Sequence, residues 1–206
     1  MTLLPDGTVL VAGGSVVGPG SYVPIASAER YVMPNPLRER RVVEYFHAGY
    51  DHYFMTADEP EIATLDAATE RAWVRTGKTF AVFDQSLLPY MALVPVCRFW
   101  SEQSFAPMSS HFYTPYADEC VKVMQDMAWL FELNALYVAM PGGTPGARTC
   151  PSGTRPLYRA YNNGMGAAPN HRYTTDPAVL DAMIAQGWVM EGEAATRMFA
   201  CVPQQD

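Results

Sequence analysis

The sequence has no long apolar run, few basic residues and no basic cluster. No stretch approaches the ~18 consecutive apolar residues of a membrane-spanning helix, so a membrane span is not expected. Lys and Arg number 14 against 21 Asp and Glu, which gives a net charge of −7 at pH 7. An acidic chain without a basic patch is a poor match for a phosphate backbone, so nucleic acid is not an expected partner.

Common enzyme signatures are also missing from the sequence. It contains no G-x-S-x-G nucleophile elbow, no P-loop and no dinucleotide-binding fingerprint. The four cysteines lack the spacing of a metal site, and we predict neither a metal nor a cofactor. Whether the chain is an enzyme stays open at this point.

The four cysteines instead suit an oxidising compartment, in which they would form disulfides. The sequence favours the pairs Cys97–Cys120 and Cys150–Cys201, although four cysteines allow three pairings and four buried cytosolic thiols are the alternative. Disulfides would indicate an extracellular or periplasmic protein. Because the N-terminus shows no signal peptide, we interpret this chain as the end of a longer parent that begins here at an internal methionine.

Residues 1–36 differ in character from the rest. The turn residues Pro5-Asp6-Gly7 precede a strand over Val9–Ala12 and a diglycine, and a second strand is predicted at 26–31. The prolines of Pro34-Asn35-Pro36 mark a boundary, because proline interrupts both helices and strands. This stretch resembles a kelch blade. Since a propeller needs several blades to bury their faces, the resemblance implies a partial blade and a larger parent chain with a kelch propeller.

One phrase returns three times in the remaining chain, with its histidines 59 and 60 residues apart. It reads His52-Tyr53-Phe54-Met55-Thr56, His111-Phe112-Tyr113-Thr114 and His171-Arg172-Tyr173-Thr174. A regular return at this interval is typical of a repeat protein. The first copy has one residue more between His and Thr, so either its strand contains a bulge or Tyr53 takes the place of the later histidines.

Each phrase follows an apolar strand and precedes a stretch with helical character. A tryptophan comes after the helical stretch, and a final strand ends the unit. The predicted first strands are 42–46, 96–100 and 157–161, the helices 58–72, 116–128 and 176–186, and the final strands 79–83, 135–138 and 197–201. Asp176 followed by Pro177 is a typical helix start. The sequence thus predicts one compact α+β domain over residues 37–206, made of three pseudo-symmetric β-β-α-β repeats at about 42–83, 96–138 and 157–202.

Residues 42–203 resemble a bacterial repeat domain of uncharacterised function, carried by the three phrases and by Gly187-Trp188-Val189-Met190-Glu191-Gly192. Such domains occur at the C-termini of secreted proteins, some with glycan-degrading or propeller domains. The resemblance implies an accessory, non-catalytic binding module for a glycan or another cell-surface polymer.

Candidate binding residues come from the third phrase, from the amide-rich loop before it (residues 161–170) and from the matching positions of the second phrase. Sugars are typically bound by aromatic faces flanked by a few fixed polar groups, and loops on a rigid scaffold commonly carry such sites. The alternative for the repeated His and Tyr is a purely structural role, and convergence of the three histidines on a zinc ion is a third interpretation. The candidate ligand-binding residues are His171, Tyr173, Asn162, Asn163, Asn170, His111 and Tyr113.

The alternative function is that of a small hydrolase, an esterase or a glycosidase, with its site in a cleft between repeats. An esterase would need residues such as Ser110, His171 and Asp176 to meet in space. A glycosidase would need two carboxylates, and the matching positions of Glu132 and Glu191 after the repeat tryptophans are more typical of a structural role. The matching Arg98 and Arg159 are expected to form ion pairs across repeats.

Overall fold

The protein was studied as a computed structural model, which describes residues 2–3, 9–13, 15–18, 21–24, 27–31, 39–68, 72–85 and 92–204. The chain divides into two units, Met1–Arg38 and Glu39–Asp206. All strand pairings between described residues are antiparallel. None of the helices in these ranges combines the length and apolar character needed to cross a bilayer.

The first unit contains five short strands: β1 (Thr2–Leu3), β2 (Val9–Ala12), β3 (Ser15–Gly18), β4 (Ser21–Pro24) and β5 (Ala28–Tyr31). Strands β1, β2 and β5 form one sheet in that order, and β3 pairs with β4 in a separate hairpin. The strand predicted at 9–12 and most of that predicted at 26–31 are present, whereas the β3–β4 hairpin was not predicted. The turn at 5–7 and the boundary at 34–36 lie outside the described residues.

The second unit contains three consecutive stretches with the same order of elements, which we call segments 1, 2 and 3. Segment 1 contains β6 (Glu39–His47), β7 (His52–Thr56), α1 (Glu59–Ala67) and β8 (Trp73–Phe83). Segment 2 contains β9 (Leu93–Trp100), β10 (His111–Thr114), α2 (Ala117–Met124) and β11 (Leu130–Ala139). Segment 3 contains β12 (Thr154–Tyr161), β13 (His171–Thr174), α3 (Pro177–Ala185), β14 (Val189–Met190) and β15 (Ala200–Pro203).

The strands of the three segments form one ten-stranded sheet. Its main path runs β13-β12-β15-β11-β8-β6-β7, while β9 pairs with β11 and β10 with β9. Strand β15 also lies beside β8, so the sheet is nearly closed and resembles a barrel. The predicted α+β class is therefore only partly correct: helices and antiparallel strands share one unit, but the sheet dominates and the helices are short.

The core lies where the final strands of the segments meet. Each final strand ends on a run of buried, mostly apolar side chains, because at the centre of the unit both faces of the strand are covered. The fully or almost fully buried members include Phe80, Val82, Phe83, Leu136, Val138, Ala200, Cys201 and Val202. This central packing leaves the loops at the outer ends of the hairpins available for function.

The helices begin where the sequence predicts but are shorter than predicted. The Asp58 carboxylate accepts a hydrogen bond from the backbone N–H of Glu61, and that of Asp176 accepts one from Ala178. Both are helix N-caps followed by proline in the first turn, as predicted for Asp176. Of the tryptophans that follow the helices, Trp188 is buried and Trp73 and Trp129 are half-buried.

Two disulfides cross-link the second unit. Cys97 on β9 is bonded to Cys120 on α2, and Cys150 is bonded to Cys201 on β15. This is the pairing that the sequence favoured. The first bond fixes a helix to its own hairpin, and the second fixes the loop after segment 2 to the central strand of segment 3.

Candidate functional site

The strand registers show which residues of the three phrases are equivalent. Hairpin β6–β7 pairs without a register shift from Val43–Thr56 to His47–His52, so it contains no bulge. The hydroxyl groups of Thr56, Thr114 and Thr174 each accept a hydrogen bond from the backbone N–H two residues later. Counted back from these threonines, Tyr53 takes the place of His111 and His171, which was one of the two alternatives.

The tyrosines of the second and third phrases join the segments. The Tyr113 hydroxyl donates to the carbonyl of Met55, and the Tyr173 hydroxyl donates to the carbonyl of Tyr113 over 2.8 Å. Both rings are buried, and burial raises the pKa of both phenols. Each phenol therefore stays a protonated donor and stabilises the contact between neighbouring segments.

The matched arginines also link the segments, as predicted. Arg98 Nη1 lies 2.8 Å from Glu61 on the helix of segment 1, and its Nε lies 2.8 Å from Glu132. Arg159 binds Glu119 on the helix of segment 2 through two nitrogens, each at 3.0 Å. Its Nε lies 2.9 Å from Glu191, at an angle outside hydrogen-bond geometry.

The contact between segments 3 and 1 uses the opposite arrangement of charges. Glu44 on β6 lies at the strand position that Arg98 and Arg159 occupy, and it accepts two hydrogen bonds of 2.9 Å from Arg172 on β13. The Arg172 guanidinium lies over the ring of Tyr53, 4.1 Å from its centre. All three contacts between segments therefore contain a buried or half-buried ion pair.

The three histidines occupy separate environments. His52 Nδ1 lies 2.7 Å from the carbonyl oxygen of Ser109, His111 Nε2 lies 3.5 Å from Glu132, and His171 Nε2 lies 3.3 Å from Glu191. No group of three His, Cys, Asp or Glu side chains in the described part of the chain is placed to bind a metal ion. Burial lowers the pKa of all three imidazoles, that of His111 to about 3, so they are neutral at pH 7.

This burial makes the stability of the fold depend on pH. The unfolded chain binds protons at these histidines below their ordinary pKa of 6.5, and the folded chain binds fewer because their pKa values are lowered. Stability is therefore full above pH 6.5 and falls as the pH drops below it; at pH 5 His111 alone should cost about 2 kcal/mol. Urea unfolding at pH 7.5 and pH 5.0 measures this change, and both values lie above the ordinary pKa of the carboxylates. In His111→Gln the free energy of unfolding should differ less between pH 7.5 and pH 5.0 than in the wild-type chain. An unchanged difference would contradict the assignment of part of this loss to His111.

The predicted amide-rich loop is folded around Asn162. The amide nitrogen of Asn162 donates to the carbonyls of Met165 and Ala168, and its oxygen accepts from the backbone N–H of Gly164 and Asn170. The loop contains a short 3₁₀ turn at Met165–Ala167. These bonds give the loop a defined conformation without using a ligand.

Asn170 fixes this loop to the turn that precedes the first phrase. Its amide nitrogen donates to the carbonyl of Asp51 over 2.9 Å, and its oxygen accepts from the backbone N–H of Tyr53 over 3.2 Å. Asn163, in contrast, is exposed and has a positive φ of 54°. Segment 3 therefore presents its loop directly beside the turn of segment 1.

A pocket of about 160 Å³ lies between that turn and the loop, and we call it the loop pocket. It contains two aromatic rings, a carboxylate, two amides, an imidazole and a thioether. Its lining residues are Tyr50, Asp51, His52, Asn162, Met165, Gly166, Gln186 and Trp188.

The loop pocket contains fixed aromatic faces and unused polar groups. Tyr50 stacks on His47 with ring centres 3.8 Å apart, and Trp188 packs against the ring of Tyr53. No described residue forms a hydrogen bond with the Asp51 carboxylate or the Gln186 amide. The pocket can therefore offer aromatic surface together with polar groups that have no partner within the described protein.

Of the seven predicted binding residues, only Asn162 lines the loop pocket. Tyr113, Tyr173, His111 and His171 contribute to contacts between segments or to ion-pair networks, and their role in ligand binding stays a prediction. Sequence reasoning missed Tyr50, Asp51 and Gln186. The one available signal was the turn Gly49-Tyr50-Asp51 before the first phrase, but its spatial neighbour in segment 3 is more than 100 residues away.

A larger open groove of about 520 Å³ lies between β8 and the start of α3. Its charged groups are already paired, Lys78 with Asp176 at 3.1 Å and Glu44 with Arg172. Phe80 and Tyr173 are the aromatic members of its described lining, and both are buried. The loop pocket differs in having one partly exposed aromatic ring, that of Tyr50, beside the buried Trp188.

The residues considered for a hydrolase do not form a catalytic arrangement with one another. His171 faces Glu191, and Asp176 caps α3 and pairs with Lys78. The Ser110 hydroxyl is buried and has no hydrogen-bond partner among the described residues. Glu132 lies beside Arg98, and Glu191 lies beside Arg159. The hydrolase stays an untested alternative function.

Comparison with known proteins gives a family but no activity. No curated protein matches the chain, and no solved structure matches it. A family model described as a domain of unknown function, DUF5648, matches residues 41–198, which lie within the second structural unit. The match covers well over half of the 206 residues. The chain therefore belongs to the DUF5648 family.

Proposed function

We propose that the second unit is a secreted, non-catalytic module that binds a glycan or another cell-surface polymer through the loop pocket. The observation that supports this most is the meeting of Tyr50, Asp51 and Gln186 with the Asn162 loop in one small concave site. Sugar hydroxyls need hydrogen-bond donors and acceptors that have no other partner, and the apolar faces of sugar rings pack on aromatic side chains. The loop pocket contains polar groups and aromatic rings of these two kinds.

The size of the loop pocket restricts what can enter it. At about 160 Å³ it is well below the ~300–1,000 Å³ of sites that enclose drug-sized ligands. A single sugar residue fits this space better than a chain segment does. We propose that the module binds the end or a branch of a polymer, with the rest of the polymer outside the pocket.

The proposal also includes the organisation and the location of the protein. The equivalent threonine hydrogen bonds and the ion pair at each contact support three pseudo-symmetric repeats around the central strands. Two disulfides support an oxidising, extracellular or periplasmic compartment. Residues 1–36 are proposed to be part of a kelch blade of a larger parent chain.

Tyr50→Ala should weaken binding by about tenfold, because it removes the exposed face on which a sugar ring would pack. The measurement is affinity electrophoresis in gels that contain soluble polysaccharides, with retention on insoluble cell-wall material as a second assay. Phe131→Ala is the matched control, since Phe131 is also a partly exposed aromatic that packs against another ring, here edge-on, but lies in segment 2. Retention of the wild-type chain by none of the polysaccharides, or equal retention of wild type and Tyr50→Ala, would reject the proposal.

A further inference from the structure

The loop pocket has a distinct charge. Asp51 is the one acidic residue among its described lining residues, and none of these residues is Lys or Arg. His52 adds no positive charge at pH 7, because burial lowers its pKa. The pocket is therefore negative, in a chain that already carries a net charge of −7.

The backbone of Asp51 is fixed in place, while its carboxylate is not used by the fold. The backbone φ of Asp51 is 55°, and its carbonyl accepts the hydrogen bond from Asn170 that holds the loop against the turn. Its side chain is exposed, and no described residue donates a hydrogen bond to it. An ionised carboxylate only accepts hydrogen bonds, so a ligand group at this position must be a donor.

Building on the proposed function, we propose that the loop pocket selects sugar residues with a free, protonated amine, such as the glucosamine units of a deacetylated polysaccharide. An ammonium group beside Asp51 would form an ion pair in which both donor and acceptor are charged, whereas a neutral donor gains only the charge of the carboxylate. An N-acetylated sugar offers a neutral amide N–H instead. A uronic acid would place a second carboxylate beside Asp51, with no cation among the described lining residues to compensate it.

Isothermal titration calorimetry with three tetrasaccharides tests this selection. The probes are a glucosamine tetramer, an N-acetylglucosamine tetramer and a galacturonate tetramer, each at low and moderate salt. The wild-type chain should bind the glucosamine tetramer about threefold more tightly than the N-acetylated one, with a preference that decreases as salt rises. The galacturonate tetramer should not bind.

Asp51→Asn should reduce the preference for glucosamine from about threefold to nearly one, because it keeps the shape of the side chain and removes its charge. Asparagine tolerates a positive φ at least as well as aspartate, so the turn should be retained. Glu59→Gln is the control for the overall charge. Glu59 is exposed in the first turn of α1 and does not line the loop pocket, so its replacement should leave the preference unchanged.

The possible results separate this inference from the proposed function. The charge selection would be overturned by equal affinity for the glucosamine and N-acetylglucosamine tetramers, or by tighter binding of the galacturonate tetramer. It would also be overturned if Glu59→Gln and Asp51→Asn changed the preference for glucosamine equally. In each of these cases the chain still binds glycans, and the proposed function stands. Binding of none of the tetrasaccharides, together with no retention on any polysaccharide, would reject both.

Discussion

Arg159→Ala should lower the free energy of unfolding by about 3–5 kcal/mol, the usual cost of removing one partner from a buried ion pair. The Arg159 side chain is 6% exposed and binds Glu119 through two hydrogen bonds. Its guanidinium also lies 4.2 Å from the ring centre of Phe199. The substitution would leave Glu119 and Glu191 without their cation and open a cavity beside Phe199.

Urea unfolding of Arg159→Ala should be compared with that of Arg75→Ala. Arg75 also binds a carboxylate, Asp66, but its side chain is 48% exposed. Exposed pairs contribute about 0–1 kcal/mol, so the control should change stability little. If Arg159→Ala costs no more than Arg75→Ala, the contacts between segments do not depend on this ion pair.

The combined variant Arg159→Ala with Glu119→Gln and Glu191→Gln separates charge from packing. It keeps the cavity beside Phe199, removes the charge of the two carboxylates and should recover part of the stability lost in Arg159→Ala. Since the two carboxylates are then also neutral, no buried charge is left unpaired. Failure to recover any stability would assign the loss to packing around Phe199.

Removal of the Cys150–Cys201 disulfide is the second large effect. The bond joins residues 51 apart in sequence, and chain entropy alone predicts a loss of about 4 kcal/mol for Cys150→Ala with Cys201→Ala. Cys201 is fully buried in the central strand β15, so a small cavity adds to this loss. Against a typical total stability of about 5–15 kcal/mol, the variant should be near the limit of folding at 37 °C.

The Cys97–Cys120 disulfide provides the matched comparison. It spans 23 residues, so its removal by two alanines should cost about 3 kcal/mol. Urea unfolding under non-reducing conditions gives both values. A greater loss from the Cys97–Cys120 pair than from Cys150–Cys201 would contradict the order that loop length predicts, and would show that segment 2 depends on its disulfide for packing.

Much of the local structure could be predicted because it is encoded by short patterns. Asp176 and Pro177 predict a helix start from side-chain chemistry alone, and the structure confirms it. The apolar strands predicted at 42–46, 96–100 and 157–161 lie inside β6, β9 and β12. The helix ends were less predictable: the helices predicted at 58–72 and 116–128 end at Ala67 and Met124.

The candidate site was predictable only in part. The amide-rich loop was identified from its composition, but the roles of its asparagines were not, because their partners are backbone groups whose positions depend on the folded loop. Tyr50 and Asp51 are ordinary turn residues in the sequence. They become part of a pocket because Asn170 binds the turn from 119 residues away.

The sequence by itself predicted the strand-strand-helix-strand order and the ion-pairing role of Arg98 and Arg159, and it favoured the disulfide pairs that the structure contains. These follow from hydrophobic patterning and from residue types that need particular partners. Only the tertiary structure showed that Tyr53 replaces a histidine, that the sheet nearly closes, and that segments 1 and 3 meet at the loop pocket. Each of these is decided by packing between residues far apart in the chain, and one sequence contains no record of which distant residues will meet.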